Sequence, residues 1–153
     1  MATDTSTSAD TGVRLADWQA GVVGGIAGAA VMGVLVSLMN AAVLAGAIPA
    51  LYGLSGGVAG WAVHLSHGAV LGVVFAALLE RGYPGDHSTG TVVGLGLFWG
   101  VLAWVGLAAL VMPIWLSAVG FPMAPPFPNF APPSLLWHAA YGGVLGVAYA
   151  GLR

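Results

Sequence analysis

The chain has 153 residues, of which 59% are hydrophobic and only 5% are charged, and its formal net charge is −2. Soluble domains carry roughly 25% charged residues, so this chain cannot cover a water-facing surface and must be solvated mostly by lipid. Its few cationic side chains exclude nucleic acid as a partner, because nucleic-acid binding depends on phosphate neutralisation, and the absence of cysteine excludes disulfides and thiol chemistry.

Four apolar runs dominate the chain after a short polar start. Residues 1–17 are small, polar and acidic, which predicts a disordered tail ahead of a single domain at 18–153. A membrane-spanning helix needs ~20 apolar residues. Runs of that length fall at about 20–44, 58–79, 91–112 and 134–152. We therefore predict an all-α integral membrane protein with four transmembrane helices.

Prolines mark the expected ends of two of these helices. Pro49 and Gly53 predict a loop after the first helix, and Pro113 is expected to end or kink the third. The proline-rich segment 121–133 cannot form a regular helix or strand, so we expect it to lie against the membrane surface or to cap the bundle. Pro133 suits the first position of the fourth helix, where its missing N–H costs nothing.

The three arginines give the expected orientation. Arg14, Arg81 and Arg153 all lie on one side of a four-span chain, and the loops on the other side carry no Arg, Lys, Asp or Glu. Positively charged loops stay in the cytoplasm. We therefore expect a multi-pass protein of the cell membrane whose two termini both face the cytoplasm.

The second apolar run returns in altered form in the fourth. Aligning Gly68 with Gly142 also places His64 on His138, and the match continues into a Leu-Gly pair one turn later. A similar proline motif follows the first and the third run. The pattern predicts two tandem helical hairpins related by a pseudo-two-fold axis along the membrane normal, which is the parallel type of repeat.

The acids and bases inside the predicted spans are histidines: His64, His67 and His138, with Tyr141 at the position that corresponds to His67. Ionisable residues within a membrane are functional candidates by default. His64 begins a stripe of small residues at four-residue spacing, and His138 begins the matching stripe. Such stripes let another helix approach closely, and the predicted axis brings the two histidines to one depth.

Three interpretations of these histidines compete, beside a small-molecule pocket or a permeation path without a bound cofactor. In the first, each imidazole hydrogen-bonds a neighbouring helix and stabilises packing. In the second, His64 and His138 are the axial ligands of a haem b that transfers electrons. Gly68 and Gly142 would then make room for the flat macrocycle. In the third, His64, His67 and His138 bind Zn or Cu, which neutral imidazoles suit.

The chain carries three motifs: His-x-x-His-Gly-x-x-Leu-Gly, Pro-Ile-Trp-Leu-Ser-Ala-Val-Gly-Phe-Pro and Ala-Pro-Pro-Phe-Pro-Asn. With its four predicted spans and these motifs, the chain resembles, over about residues 18–153, a group of small four-span membrane proteins of haloarchaea, some of which carry the automatic name "histidine kinase". The resemblance implies no particular activity. The residues contradict a kinase, since the chain has no glycine-rich nucleotide loop with a following lysine and no acidic metal ligands.

We therefore expect a non-enzymatic membrane protein, an accessory or structural subunit of a membrane complex, with haem b between His64 and His138 as its candidate cofactor. The alternative is a small transporter, or a Zn- or Cu-binding membrane protein that uses His64, His67 and His138. The expected partners are the lipid bilayer and either other membrane subunits or further copies of the chain.

Overall fold

The computed structural model describes residues 14–153, and this part of the chain consists of helices joined by connections. The four long helices are the first at Asp17–Ala50, the second at Gly57–Gly82, the third at Thr89–Ala118 and the fourth at Pro132–Leu152. No strand is present within 14–153, so the predicted all-α class is confirmed. The predicted tail lies mostly outside the described residues, and residues 14–16 lead directly into the first helix.

All four helices are long and apolar enough to cross a membrane. The shortest has 21 residues and the longest 34, and ~20 residues suffice for a hydrocarbon core of ~30 Å. Large apolar side chains cover the outer surfaces, such as Leu38 at 80% exposure and Val70 at 62%. These features are consistent with a multi-pass membrane protein, in which acyl chains replace water as the solvent.

The first two helices cross where both carry glycine. A Cβ added at Gly21 would lie 2.6 Å from the carbonyl oxygen of Gly72, and one at Gly25 would overlap the carbonyl of Gly68. Only glycine lets two backbones come this close, and such van der Waals contacts drive helix association in lipid. The small-residue stripe of the second helix is therefore its packing face against the first.

The third and fourth helices cross in the same manner. A Cβ added at Gly96 would overlap the carbonyl oxygen of Gly142, and one at Gly100 would overlap that of His138. The first helix also packs along the fourth, where Gly28 meets the backbone of Tyr141. The helices thus form a row in the order second, first, fourth and third.

The row leaves the second and third helices without a comparable close-packed contact in the described part of the chain. A two-fold axis that relates the hairpins would make this pair pack as tightly as the first helix packs on the fourth. Instead of such a packed contact, open cavities lie between the second and third helices. The tandem-hairpin repeat therefore stays a prediction, and an open cleft departs from the expected symmetry.

The first helix extends past its expected end and bends on the way. Asn40 leaves helical geometry at φ −157° and ψ 76°, and a wider π-helical segment, Val43–Ala47, then leads into Pro49. Proline has no N–H for the carbonyl of Ala45, four residues earlier. The N–H of Gly56 donates to that carbonyl at 2.9 Å. The following loop thereby satisfies the group that the proline leaves free.

The third helix continues through Pro113 to Ala118, so of the two expected effects of this proline, an end or a kink, the end near residue 112 is wrong. The π-helical segment Trp104–Val111 precedes the proline. The N–H of Asn129 donates at 2.9 Å to the carbonyl of Ala109, which the proline leaves free. Membrane helices tolerate proline where a local widening and a replacement donor are available.

The proline-rich loop folds over one end of the bundle. Phe130 packs edge-to-face on Trp104 with ring centroids 5.6 Å apart, and the indole N–H of Trp104 donates to the hydroxyl of Ser134 at 2.8 Å. The fourth helix begins at Pro132, one residue before Pro133, and a missing N–H costs nothing there. The loop therefore caps the bundle, as its composition suggested.

Candidate functional site

The three intramembrane histidines and Tyr141 line one small cavity inside the bundle. Its volume is about 70 Å³, and its wall is completed by apolar residues such as Met32 and Ala103. The structure thus brings together the side chains that the two aligned stretches singled out. Their hydrogen bonds, however, differ from one ring to the next.

His64 links the second helix to the first. Its side chain is only 6% exposed, and its Nε2–H donates to the carbonyl oxygen of Ala29 at 2.9 Å. The ring of Trp61 lies edge-on to the imidazole, with centroids 6.3 Å apart. This geometry is that of the structural interpretation, in which the imidazole stabilises helix packing.

His138 and Tyr141 on the fourth helix make different bonds. The Nδ1–H of His138 donates at 2.6 Å to the carbonyl of Ser134, one turn earlier in the same helix. The hydroxyl of Tyr141 reaches the second helix and donates to the carbonyl of Gly68 at 3.0 Å. The aligned residues His64 and His138 are therefore not equivalent, because only His64 bonds to another helix.

The geometry does not fit a haem b held by His64 and His138. The Nε2 of His64 carries the hydrogen that bonds Ala29, so this nitrogen has no lone pair for iron. Neighbouring backbones take the space that Gly68 and Gly142 were expected to provide for the macrocycle. The cavity of about 70 Å³ is also far smaller than the roughly 300–1,000 Å³ of small-molecule pockets.

The arrangement of the same rings gives the metal interpretation no support. Within residues 14–153, no group of three or more histidine, aspartate or glutamate side chains is placed to hold a metal ion. His64 and His138 are directed at backbone carbonyls, and His67 bonds to a tyrosine. The three histidines are thus near one another without forming a Zn or Cu site.

We expect His64→Ala to destabilise the protein more than His138→Ala, because only His64 bonds across helices. The expected loss for His64→Ala is about 0.6–1.7 kcal/mol, the range found for interhelical hydrogen bonds in membranes. Thermal unfolding in detergent measures it, and His87→Ala in the exposed connector is the control. Equal losses at His64 and His138 would contradict these bonding assignments.

A larger cavity lies in the cleft between the second and third helices. Its volume is about 360 Å³, within the size range of small-molecule pockets. Aliphatic side chains such as Leu71 and Leu107 form most of its wall. Its polar atoms are clustered where Tyr52, His67 and Trp115 meet.

His67 and Tyr52 form the polar end of this cleft. The Tyr52 hydroxyl and the Nε2 of His67 are hydrogen-bonded at 2.7 Å, although the two residues are 15 positions apart. His67 lines the cleft and also the small central cavity. Among the four histidines of the chain, it is the one that bonds to another side chain.

Sequence reasoning missed Tyr52 and Trp115 as site residues. Tyr52 lies in a loop without periodicity, and the one available signal was an aromatic ring among small residues. Trp115 has the sequence context of an interfacial aromatic residue. The bend at Asn40 packs the end of the first helix on the second, where Leu44 meets Gly60. Nothing local in the sequence predicts this contact between the end of the first helix and the second helix.

Comparison with known proteins adds no further assignment. No protein-family model, curated protein or solved structure matches the chain. The resemblance to haloarchaeal four-span proteins stays a prediction from the motifs.

Proposed function

We propose that this protein is an accessory membrane protein that binds a lipid-soluble small molecule in the cleft between its second and third helices. One observation carries the proposal: the hydrogen-bonded Tyr52–His67 pair stands at an otherwise apolar cavity of about 360 Å³. Ligand sites combine apolar walls with a few convergent polar groups. An ionisable side chain within a membrane is a functional candidate by default, and His67 is not bonded to the backbone of a neighbouring helix.

The open side of the bundle supports this proposal. Because the second and third helices lack a close-packed contact, a molecule dissolved in the bilayer can reach the cleft from the side. Two residues of the wall, Val70 and Leu107, are 62% and 43% exposed. Acyl chains are as apolar as this wall, so the polar pair has to provide the selectivity for a ligand.

The hydrogen bonds inside the bundle support the accessory role. His64 and Tyr141 each donate to a backbone carbonyl of another helix, so these central side chains hold the bundle together. Such a scaffold would present its ligand to another membrane subunit or to a second copy of the chain. We place it in the cell membrane with both termini in the cytoplasm. The Leu15 N–H donates to the Leu152 carbonyl at 2.7 Å, which supports only that the start of the first helix and the end of the fourth share one side of the membrane.

We expect Leu107→Trp to abolish retention of the ligand, because the larger ring fills the cleft. Native mass spectrometry of the protein, extracted from its own membrane into nanodiscs, measures the mass of a retained molecule. Ile114→Trp is the matched control on the same helix, since Ile114 is 56% exposed and lies outside the cleft wall. A wild-type protein that retains nothing beyond bulk lipid would sink the proposal, as would undiminished retention by Leu107→Trp.

A further inference from the structure

We expect the head of the ligand to be uncharged, because the described wall of the cleft contains no Arg, Lys, Asp or Glu. A phosphate or carboxylate placed there would lose its hydration with no arginine or lysine to pair with. None of the three arginines lines this wall: Arg81 lies in the last turn of the second helix, and Arg14 and Arg153 lie at the two ends of the described residues. An anionic lipid headgroup is therefore a poor occupant of this site.

The Tyr52–His67 pair suits a head that carries oxygen. If the Nε2–H of His67 donates in their shared hydrogen bond, the hydroxyl hydrogen of Tyr52 is available for a ligand carbonyl. If Tyr52 donates instead, its oxygen keeps a lone pair that accepts from a ligand hydroxyl. The pair can thus bond a carbonyl or a hydroxyl by exchanging the roles of its two members.

Aromatic rings surround this polar end. The ring of Tyr52 lies 5.6 Å from the imidazole of His67 and 6.0 Å from the indole of Trp115, measured between centroids. Both pairs are tilted, with interplanar angles of 49° and 55°. Aromatic rings attract one another at centroid distances of about 4.5–7 Å. A planar head would gain contacts here that an alkyl head would not.

We propose that the cleft binds a lipid-soluble molecule of the quinone or quinol type, whose ring oxygen bonds to the Tyr52–His67 pair. The inference rests on the proposed function, since it names the ligand class of the same cleft. A second cavity of about 190 Å³ lies between the same two helices and is lined by Phe75 on the second helix and Leu102 on the third, among others. This cavity offers a path for the apolar tail of the ligand. Acyl chains solvate such a tail equally well, so the ring decides the affinity.

Binding to the wild-type protein in nanodiscs of neutral phospholipid tests the ligand class. The probes are a naphthoquinone with an isoprenoid tail, its quinol, a polyprenol with the same tail, and the matching polyprenyl phosphate. At equal mole fraction in the lipid, we expect both ring compounds to bind about tenfold more tightly than polyprenol, from one aromatic contact and a better-placed hydrogen bond. The phosphate should bind most weakly.

Tyr52→Phe tests the polar contact, because it keeps the ring and removes the hydroxyl. We expect quinone binding to weaken about fivefold, as for the loss of one hydrogen bond. Tyr149→Phe is the control, since Tyr149 lies on the fourth helix and lines neither of the two cavities between the second and third helices. Unchanged quinone binding in Tyr52→Phe would overturn the assignment of this contact.

The outcomes distinguish the proposed ligand class, a quinone or quinol, from the proposed ligand site in the cleft. If polyprenol or its phosphate binds as tightly as the quinone, the ring assignment is overturned while a ligand site in the cleft survives. If the wild-type protein binds none of the four probes, and Leu107→Trp retains what the wild type retains from its own membrane, both proposals fail.

Discussion

Gly96→Leu should prevent the third and fourth helices from packing, and we expect it to cause the largest loss of stability among the variants that we propose. Even a Cβ at this position would overlap the carbonyl oxygen of Gly142. A backbone carbonyl cannot turn aside as a flexible side chain can, so the two helices have to separate along their crossing. Overpacked interiors lose about 1–3 kcal/mol, occasionally more, and a clash with backbone belongs at the upper end of that range.

Gly94→Leu is the matched control, because it adds the same side chain two residues earlier on the same helix. Beyond the adjacent residues and the backbone of its own helix, no atom of residues 14–153 lies within 4 Å of a Cβ at Gly94. The yield of monodisperse protein in mild detergent and its thermal unfolding midpoint should fall for Gly96→Leu and stay near wild type for Gly94→Leu. If the two variants behave alike, the close crossing of these helices is wrong.

Leu145→Ala should destabilise the protein by about 2 kcal/mol, the second-largest effect that we expect. Leu145 is completely buried, and its Cδ1 lies 3.1 Å from where a Cβ at Gly24 of the first helix would be. In soluble proteins, Leu→Ala costs about 2–5 kcal/mol through lost transfer energy and the cavity that remains. In lipid the transfer contribution nearly vanishes, since acyl chains are as apolar as leucine. The cavity remains, so the lower end of the range applies.

Leu136→Ala makes the same chemical change on the same helix at a side chain that is 55% exposed. Lipid fills the space that its smaller side chain leaves, so we expect no measurable loss of stability. Unfolding by a denaturing detergent gives the free energy of unfolding for both variants. A loss at Leu136 as large as that at Leu145 would mean that the fourth helix buries a different face.

The number and positions of the helices followed from local composition. A helix satisfies its own backbone hydrogen bonds in lipid and needs no partner to do so, so four apolar runs were enough to predict four helices. The ends at Ala50 and Ala118 were missed. The donors that replace the proline N–H groups come from Gly56 and Asn129 in the following loops, and their positions depend on tertiary structure.

The candidate site was predictable only in part. The repeat pointed to His64 and His138, and both line the central cavity. It did not indicate that His64 bonds to Ala29 while His138 bonds within its own helix, because an alignment compares residue types and not spatial neighbours. Only the structure shows that Tyr52 bonds to His67, which makes His67 the histidine of the candidate ligand site.

By itself, the sequence determined that this chain forms an all-α bundle of four membrane-length helices with its intramembrane histidines on the second and fourth of them. Only the tertiary structure decided which pair of helices stays apart and which histidine faces the resulting cleft. The physical reason is that lipid and helix interior are equally apolar, so hydropathy carries no contrast between a packed face and an exposed one. Backbone contacts at glycines far apart in the chain determine which helices pack against each other. These contacts leave the second and third helices apart, so that the cleft between them is open to the bilayer.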